Sequence, residues 1–293
     1  MNVTTRGFKY YISKGFFMKI VVDSACDYNI DLLNKLGIKV ERIPFNLQLD
    51  DNLYVDDENL DVNSFIDHML KSNIVKTSAP SPELFLEKYK GDESVFVITI
   101  SQHLSAAYSN AILAKQMYLD EFGEKFIHIF DSTAAGAGET ILLVKLAECI
   151  KKNLSESEIV EEVDNFLKNS KTYFILERYD NLVRNGRMNA MVAKVASFLS
   201  IKPICAAIEG RAEMIDKAMG TQKAYMKIAS LIGADKEICK DRTLSISHVR
   251  CKDKAELIKN EILKQASFKE VLIIDTFGLC STYANDQGLI IAF

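Results

Sequence analysis

The chain has 293 residues, with 36 Lys and Arg against 40 Asp and Glu for a net charge of −4. Its 48% hydrophobic and 26% charged fractions are those of a globular fold and exclude a disordered or collagen-like chain. Without a basic excess there is no general means of neutralising nucleic-acid phosphates, and no apolar run approaches the roughly 18 residues of a membrane helix.

Met1–Phe17 interleaves Arg6, Lys9 and Lys14 with Phe8, Tyr10, Tyr11, Phe16 and Phe17. It has neither a continuous apolar core nor a small-residue cleavage site, so residues 1–17 read as an extension or tag, not a secretory signal. Lys19–Asp23 predicts a buried strand. Asp27–Leu36 predicts a helix with Ile30, Leu33 and Leu36 on one face, closed by Gly37. Ile38–Leu49 reads as one extended run, and Val62–Lys71 and Pro82–Tyr89 as short helices. Val95–Ile100 is a strand, Leu104–Phe122 a long helix, Phe126–Phe130 a strand, and Gly136–Lys151 and Glu156–Leu167 helices. This alternation predicts a parallel sheet with helices on both faces. Strands at Tyr173–Leu176, Ala212–Ile215, Thr243–His248 and Val271–Ile274 follow, with helices at Met188–Phe198, Lys223–Ile232 and Lys254–Gln265. The polar stretch at Asn169–Lys171 is the best boundary. It divides the chain into an N-terminal α/β domain, 18–170, and a C-terminal α/β domain, 171–293.

The six cysteines form no CxxC pair and no Cys/His cluster. They predict reduced thiols in a cytoplasmic protein with no bound metal. There is no GxxxxGK[ST] phosphate loop, and Ala134–Gly138 lacks the GxGxxG spacing.

Three strands of the first half end on small hydroxyls: Asp23-Ser24, Ile100-Ser101 followed by Ser105, and Asp131-Ser132-Thr133. In an open parallel sheet these ends share one edge, where ligands bind and free N–H groups favour an oxyanion. Each serine is equally a helix cap. A fourth cluster, Lys76-Thr77-Ser78-Ala79-Pro80-Ser81-Pro82, reads as a loop entering a helix. His103 stands two residues before Ser105, which keeps a Ser–His hydrolase open as an alternative, although no GxSxG elbow accompanies it.

Five landmarks occur in order: Val21–Asp27 (VVDSACD), Thr77–Pro82 (TSAPSP), Ile98–Ala111 (ITISQHLSAAYSNA), Asp131–Glu139 (DSTAAGAGE), and Asn181–Met188 (NLVRNGRM) followed by Ile201–Cys205 (IKPIC). Together they resemble the DegV family of bacterial fatty-acid-binding proteins, which includes the FakB subunits of fatty acid kinase. The resemblance spans Met18–Phe293. It implies two α/β domains, a Rossmann-like N-terminal one with a parallel sheet and a C-terminal one with its own sheet and a lipid tunnel. It also implies a long-chain fatty acid as ligand, such as palmitate, stearate or oleate, with no other cofactor. The carboxylate-binding Thr and Ser of the family map onto Thr77 and Ser105, with Ser78 beside the first. A family His near the carboxylate is Ser281 here. The Gly and Thr that follow the family Ser are Ala106 and Ala107, and the family GGR is Asn185-Gly186-Arg187.

The resemblance further implies a non-catalytic carrier that presents its lipid to a separate ATP-dependent kinase, without stable membrane insertion. A lipid sensor without a kinase is the other binding alternative. Met191, Val195 and Phe198 are candidate tunnel residues on one apolar face. Arg184 and Arg187 flank a turn-forming Asn-Gly pair that should project them into solvent for partner docking.

Overall fold

The structure is a computed structural model and describes residues 18–196 and 200–293. Residues 1–17 and Phe198 lie outside the described residues. The strands are β1 (Met18–Asp23), β2 (Val40–Ile43), β3 (Asn46–Leu49), β4 (Asn52–Val55), β5 (Val75–Ser78), β6 (Ser94–Thr99), β7 (Ile127–Asp131), β8 (Thr172–Ile175), β9 (Ile201–Ile208), β10 (Arg211–Met219), β11 (Thr243–His248), β12 (Glu270–Asp275) and β13 (Leu289–Ala292).

The first sheet is parallel, in the order β2-β1-β6-β7. Ile20, Val21 and Val22 of β1 and Val95–Ile98 of β6 are fully buried, which is why both read as continuous apolar runs. The chain leaves β1 towards β2 but returns to β6 on its other side. The switch in direction therefore lies between β1 and β6, and a crevice opens there at the strand C-termini.

Ile38–Leu49 is two strands in two sheets. Ile43 closes β2, Pro44 offers no N–H, and the Phe45 N–H is taken by Ser24 Oγ at 3.1 Å. The chain then restarts as the centre of an antiparallel sheet, β4-β3-β5. The third sheet, β10-β9-β8-β13-β11-β12, is built wholly from strands after Thr172 and is antiparallel except for β11–β12. Glu209 and Gly210 join β9 to β10 with φ of 48° and 78°, two positive values that match the twist of a tight hairpin.

One helix joins the two large sheets. Ala137–Lys151 packs Leu142, Leu143, Leu146 and Ala147 into the core of the first sheet. Its Ala137 and Ile141 pack against Ala292 of β13. Burial on opposite sides explains why apolar residues cover most of its surface and leave only the Lys145–Glu148–Lys151 stripe charged and outward. The long helix after β6 runs Ala107–Phe122 and starts three residues later than its sequence pattern, because Leu104 and Ser105 first turn back to donate their N–H groups to Ser101 O.

Candidate functional site

The three sheets meet around a cavity of about 200 Å³. Ile100, Leu104, Ala134 and Ala135 come from the C-terminal edge of the first sheet, and Phe45 and Thr77 from the small one. Phe174, Leu176, Ala207, Ala212 and Ile290 come from the third sheet and its margins. The helix Gly278–Ala284 closes the cavity with Leu279, Cys280, Tyr283 and Ala284, which lie on one helical face. The walls are largely hydrocarbon, as a lipid chain requires, and among the described residues no Asp or Glu lines them.

The polar side chains of the lining are Thr77, Ser105, Thr172, Tyr283, Arg187 and Arg211. Thr77 Oγ1 and Tyr283 Oη are hydrogen-bonded at 2.7 Å. Ser105 Oγ accepts the Ala107 N–H at 3.2 Å, which leaves its own O–H free to donate. A hydroxyl both donates and accepts, so this group can hold a carboxylate or a neutral acid. Arg187 lines the cavity too. Its Nε donates to Leu104 O at 3.1 Å, and Nη1 donates to Asn185 O.

The loop that carries Ser105 is clamped from the far side of the cavity. Ser101 Oγ donates to Gly210 O at 2.7 Å and accepts the His103 N–H at 3.2 Å. A Cβ on Gly210 would lie 2.5 Å from Ser101 Oγ, so only glycine permits this approach at its positive φ. Asn185 Nδ2 donates to Val75 O at 3.1 Å and ties the Arg187 segment to β5.

A layer of buried acids adjoins the cavity. Asp23 accepts the Ala25 N–H at 2.9 Å and the Ile100 N–H at 2.8 Å, which stitches the β1–β6 crevice. Asp27 accepts the Phe277 N–H at 2.9 Å. Asp56 accepts the Gly278 N–H at 2.9 Å and the Leu279 N–H at 2.8 Å, and pairs with Arg42 at 2.9 Å. Asp27 and Asp56 thus satisfy the N-terminal amides of the helix that bears Tyr283. Burial pushes the Asp23 and Asp27 carboxyls up to about 7. It raises Asp56 as well, against the pull of Arg42. Glu139 is fully buried, and neither of its oxygens has a hydrogen-bond partner among the described residues. Burial, with Asp23 and Asp27 nearby, drives its carboxyl well above the usual range.

Thr77, Ser105 and Arg187 come together at the cavity. Thr77 is on a strand and not on a loop; with Leu47 as its partner it faces inward, and strand alternation turns Ser78 outward, where it is exposed. Ser281 is buried but bonds Thr276 Oγ1 at 2.8 Å on the other side of its helix and does not line the cavity. Met191 is 66% exposed and lines an outer hollow, and Val195 is half-buried away from the cavity. Arg184 is exposed as expected, whereas Arg187 is half-buried and turned to the cavity mouth because Leu104 O captures it. Ser24 Oγ accepts the Phe45 N–H, Ser101 Oγ donates to Gly210 O and Ser132 Oγ donates to Ala134 O, and none of the three lines the cavity. His103 makes no hydrogen bond to Ser105 among the described residues.

Tyr283 and Arg211 were missed. The periodicity of the last helix carried the signal for Tyr283, since Leu279, Cys280, Tyr283 and Ala284 repeat at helical spacing and exclude Ser281. Nothing in the sequence singled out Arg211.

The architecture is that of a three-sheet α/β protein with a largely hydrocarbon-walled cavity and hydroxyls at the sheet junction. Within that class the chain belongs to the DegV family. Residues 18–289 match the family model described as "Uncharacterised protein, DegV family". A DegV domain-containing protein of Streptococcus pyogenes serotype M1 is 34% identical over 277 residues, 94% of this chain and 98% of its own. A DegV family protein of Ruminococcus gnavus, solved with vaccenic acid, is 33% identical with a TM-score of 0.89, covering 95% of this chain and 100% of that one. The Streptococcus pneumoniae fatty acid kinase B3 protein, loaded with linoleic acid, is 28% identical with a TM-score of 0.86, covering 95% of this chain and 99% of that one. Among the described residues no helix is long and apolar enough to cross a membrane.

Proposed function

We propose that this protein is a non-catalytic carrier. It buries a long-chain fatty acid in the cavity, with the carboxyl at Thr77, Tyr283 and Ser105, and presents that carboxyl to an ATP-dependent kinase. The observation that carries the reading is the set of hydroxyls on Thr77, Tyr283 and Ser105 in a wall that is otherwise largely hydrocarbon. About 15 methylenes at roughly 0.8 kcal/mol each offer about 12 kcal/mol of burial before association and ordering costs, so tight binding needs no cation. The fatty acids in the relatives from R. gnavus and S. pneumoniae support the same ligand class.

Neutral donors orient the carboxylate and leave one oxygen nucleophilic. That oxygen attacks the γ-phosphorus of ATP. The new O–P bond forms as the bond to the β,γ-bridging oxygen breaks, ADP leaves with the electron pair, and no proton is transferred. Arg184, exposed on the segment that leads to Arg187, offers a guanidinium for docking the kinase.

Mass spectrometry of the purified chain under native conditions tests the carrier. A mass increment of a 16- or 18-carbon fatty acid is expected, and lipid-free protein that also ignores added palmitate and oleate would overturn it. Kinase turnover that proceeds equally well without this protein would overturn the presenting role alone.

A further inference from the structure

The cavity wall contains a hydroxyl that the carboxyl site does not use. Thr172 opens β8, is 7% exposed and lines the cavity, and its hydroxyl makes no hydrogen bond among the described residues. The other lining hydroxyls have partners: Thr77 pairs with Tyr283, and Ser105 accepts the Ala107 N–H. The neighbours of Thr172 explain its isolation. The register that pairs Tyr173 with Ala206 and Phe174 with Cys205 puts Thr172 level with Ala207, and Ala207 pairs with Ala212. Both alanines line the cavity, so two methyl side chains continue the row that Thr172 begins. On its other flank Thr172 pairs with Ala292. The helix Ala137–Lys151 approaches through Gly138, where an added Cβ would lie 2.8 Å from Thr172 Oγ1 and 2.4 Å from Ala134 Cβ. None of these neighbours has a side-chain donor or acceptor, and a hydroxyl that faces hydrocarbon without a partner is costly.

Thr172 stands apart from the Thr77–Tyr283 pair. Asn181 Nδ2 donates to Thr282 O at 2.8 Å and Asn185 Nδ2 to Val75 O at 3.1 Å, so the segment that follows β8 holds both the helix of Tyr283 and the strand of Thr77. Thr172 is at the opposite end of β8. Leu176, which lines the cavity just past the strand, is four residues on, about 13 Å at the rise of a strand. We propose that Thr172 is a second binding group of the cavity: the protein holds fatty acids that carry a hydroxyl part-way along the chain, with that hydroxyl bonded to Thr172 Oγ1 and the carboxyl at Thr77, Tyr283 and Ser105. The proposal rests on the carrier reading of the cavity. An unsubstituted chain leaves the Thr172 hydroxyl unpaired, whereas a hydroxylated chain pairs two hydroxyls that would each be stranded in hydrocarbon alone. Either oxygen can donate or accept, so the pair forms without a charge or a fixed proton.

The test uses the full chain stripped of lipid, with stearate, 10-hydroxystearate and 2-hydroxystearate as probes in equilibrium titrations. Wild type should bind 10-hydroxystearate at least as tightly as stearate. Thr172→Val keeps the branched shape and the strand preference and removes only the hydroxyl. In that variant the ratio of 10-hydroxystearate to stearate affinity should fall about tenfold, the worth of one buried hydrogen bond. Stearate itself should bind no more weakly than to wild type, and Thr172→Ser should keep the wild-type ratio. The hydroxyl of 2-hydroxystearate sits beside the carboxyl, so its affinity relative to stearate should not move in Thr172→Val. Stearate binding to wild type with 10-hydroxystearate much weaker, or a ratio unmoved in Thr172→Val, overturns the role of Thr172 and leaves the carrier standing. An equal fall for both hydroxystearates overturns the assigned place of the hydroxyl along the chain. Binding of none of the three probes overturns the carrier reading itself.

Discussion

The hydroxyl region of the cavity and the acid layer behind the helix Gly278–Ala284 are built from similar materials on neighbouring elements, yet they use them in opposite ways. In the acid layer the carboxylates of Asp23 and Asp56, with one oxygen of Asp27, are consumed by backbone amides or Arg42. Around the cavity, Ser105 and the Thr77–Tyr283 pair keep capacity for a ligand. Polar groups at a sheet edge are therefore not a site by virtue of their place. They become one where the protein leaves hydrogen-bonding capacity facing a space.

The acid layer should respond most strongly to breakage. Asp56→Ala removes three hydrogen-bond acceptances and strands Arg42, whose guanidinium lies 3.7 Å from the Phe277 ring. Denaturant unfolding should show a loss of about 3–5 kcal/mol. A loss within error would mean that Asp56 does not hold the last helix.

The clamp between the regions comes next. Gly210→Ala forces a Cβ towards Ser101 Oγ at a positive φ and should cost about 1–3 kcal/mol. It should also weaken lipid binding by moving the Ser105 loop; full stability together with full affinity would remove the clamp from the account.

A gentler probe is pH. Asp23 and Asp27 have folded-state values near 7, above those of an unfolded chain, so the folded state binds more protons between about pH 4 and 7. Their contribution is full below the unfolded value and is lost as pH rises through 7, with Glu139 and Asp56 acting in the same sense. The half-buried His128 and the buried His248 are shifted down by desolvation and oppose this below about pH 6.5. Thermal unfolding should therefore show lower stability at pH 8 than at pH 6.5. Glu139→Gln should raise stability at pH 8 and flatten that slope. An unchanged slope would mean that Glu139 ionises freely in the fold.

The smallest effect falls on the cavity. Tyr283→Phe removes one hydroxyl and leaves Thr77 with its own, so fatty-acid affinity should drop by about 1 kcal/mol with stability nearly unchanged. A drop beyond about 3 kcal/mol would make Tyr283, and not Ser105, the main anchor.

Much of this architecture was legible in the sequence. The continuous apolar runs of β1 and β6 reported strands buried on both faces, and the ordered motifs reported the family. The break inside Ile38–Leu49 was hidden because Pro44-Phe45 sits between two stretches of similar apolarity, and the turn is fixed by distant partners, Ser24 Oγ accepting the Phe45 N–H and the Asp56 N–H donating to Phe45 O. Ser78 was grouped with the site by adjacency to Thr77, and Ser281 because it stands where the family has a His, yet strand alternation and helix periodicity turn them away. Arg187 was expected in solvent from its Asn-Gly turn, but its direction is set by a carbonyl 83 residues away in sequence. Local composition does not encode a contact of that kind.

The contrast between the two regions can be tested on two serines that follow the C-terminal ends of β1 and β6. Ser24 serves Phe45, while Ser105 faces the cavity. Palmitate titration and thermal unfolding should be measured side by side on Ser24→Ala and Ser105→Ala. The account predicts that Ser105→Ala loses about 1–3 kcal/mol of palmitate affinity with little change in melting temperature, and that Ser24→Ala loses stability of similar size with affinity retained. The reverse pattern, with Ser105→Ala binding as wild type and Ser24→Ala losing the ligand, would contradict it.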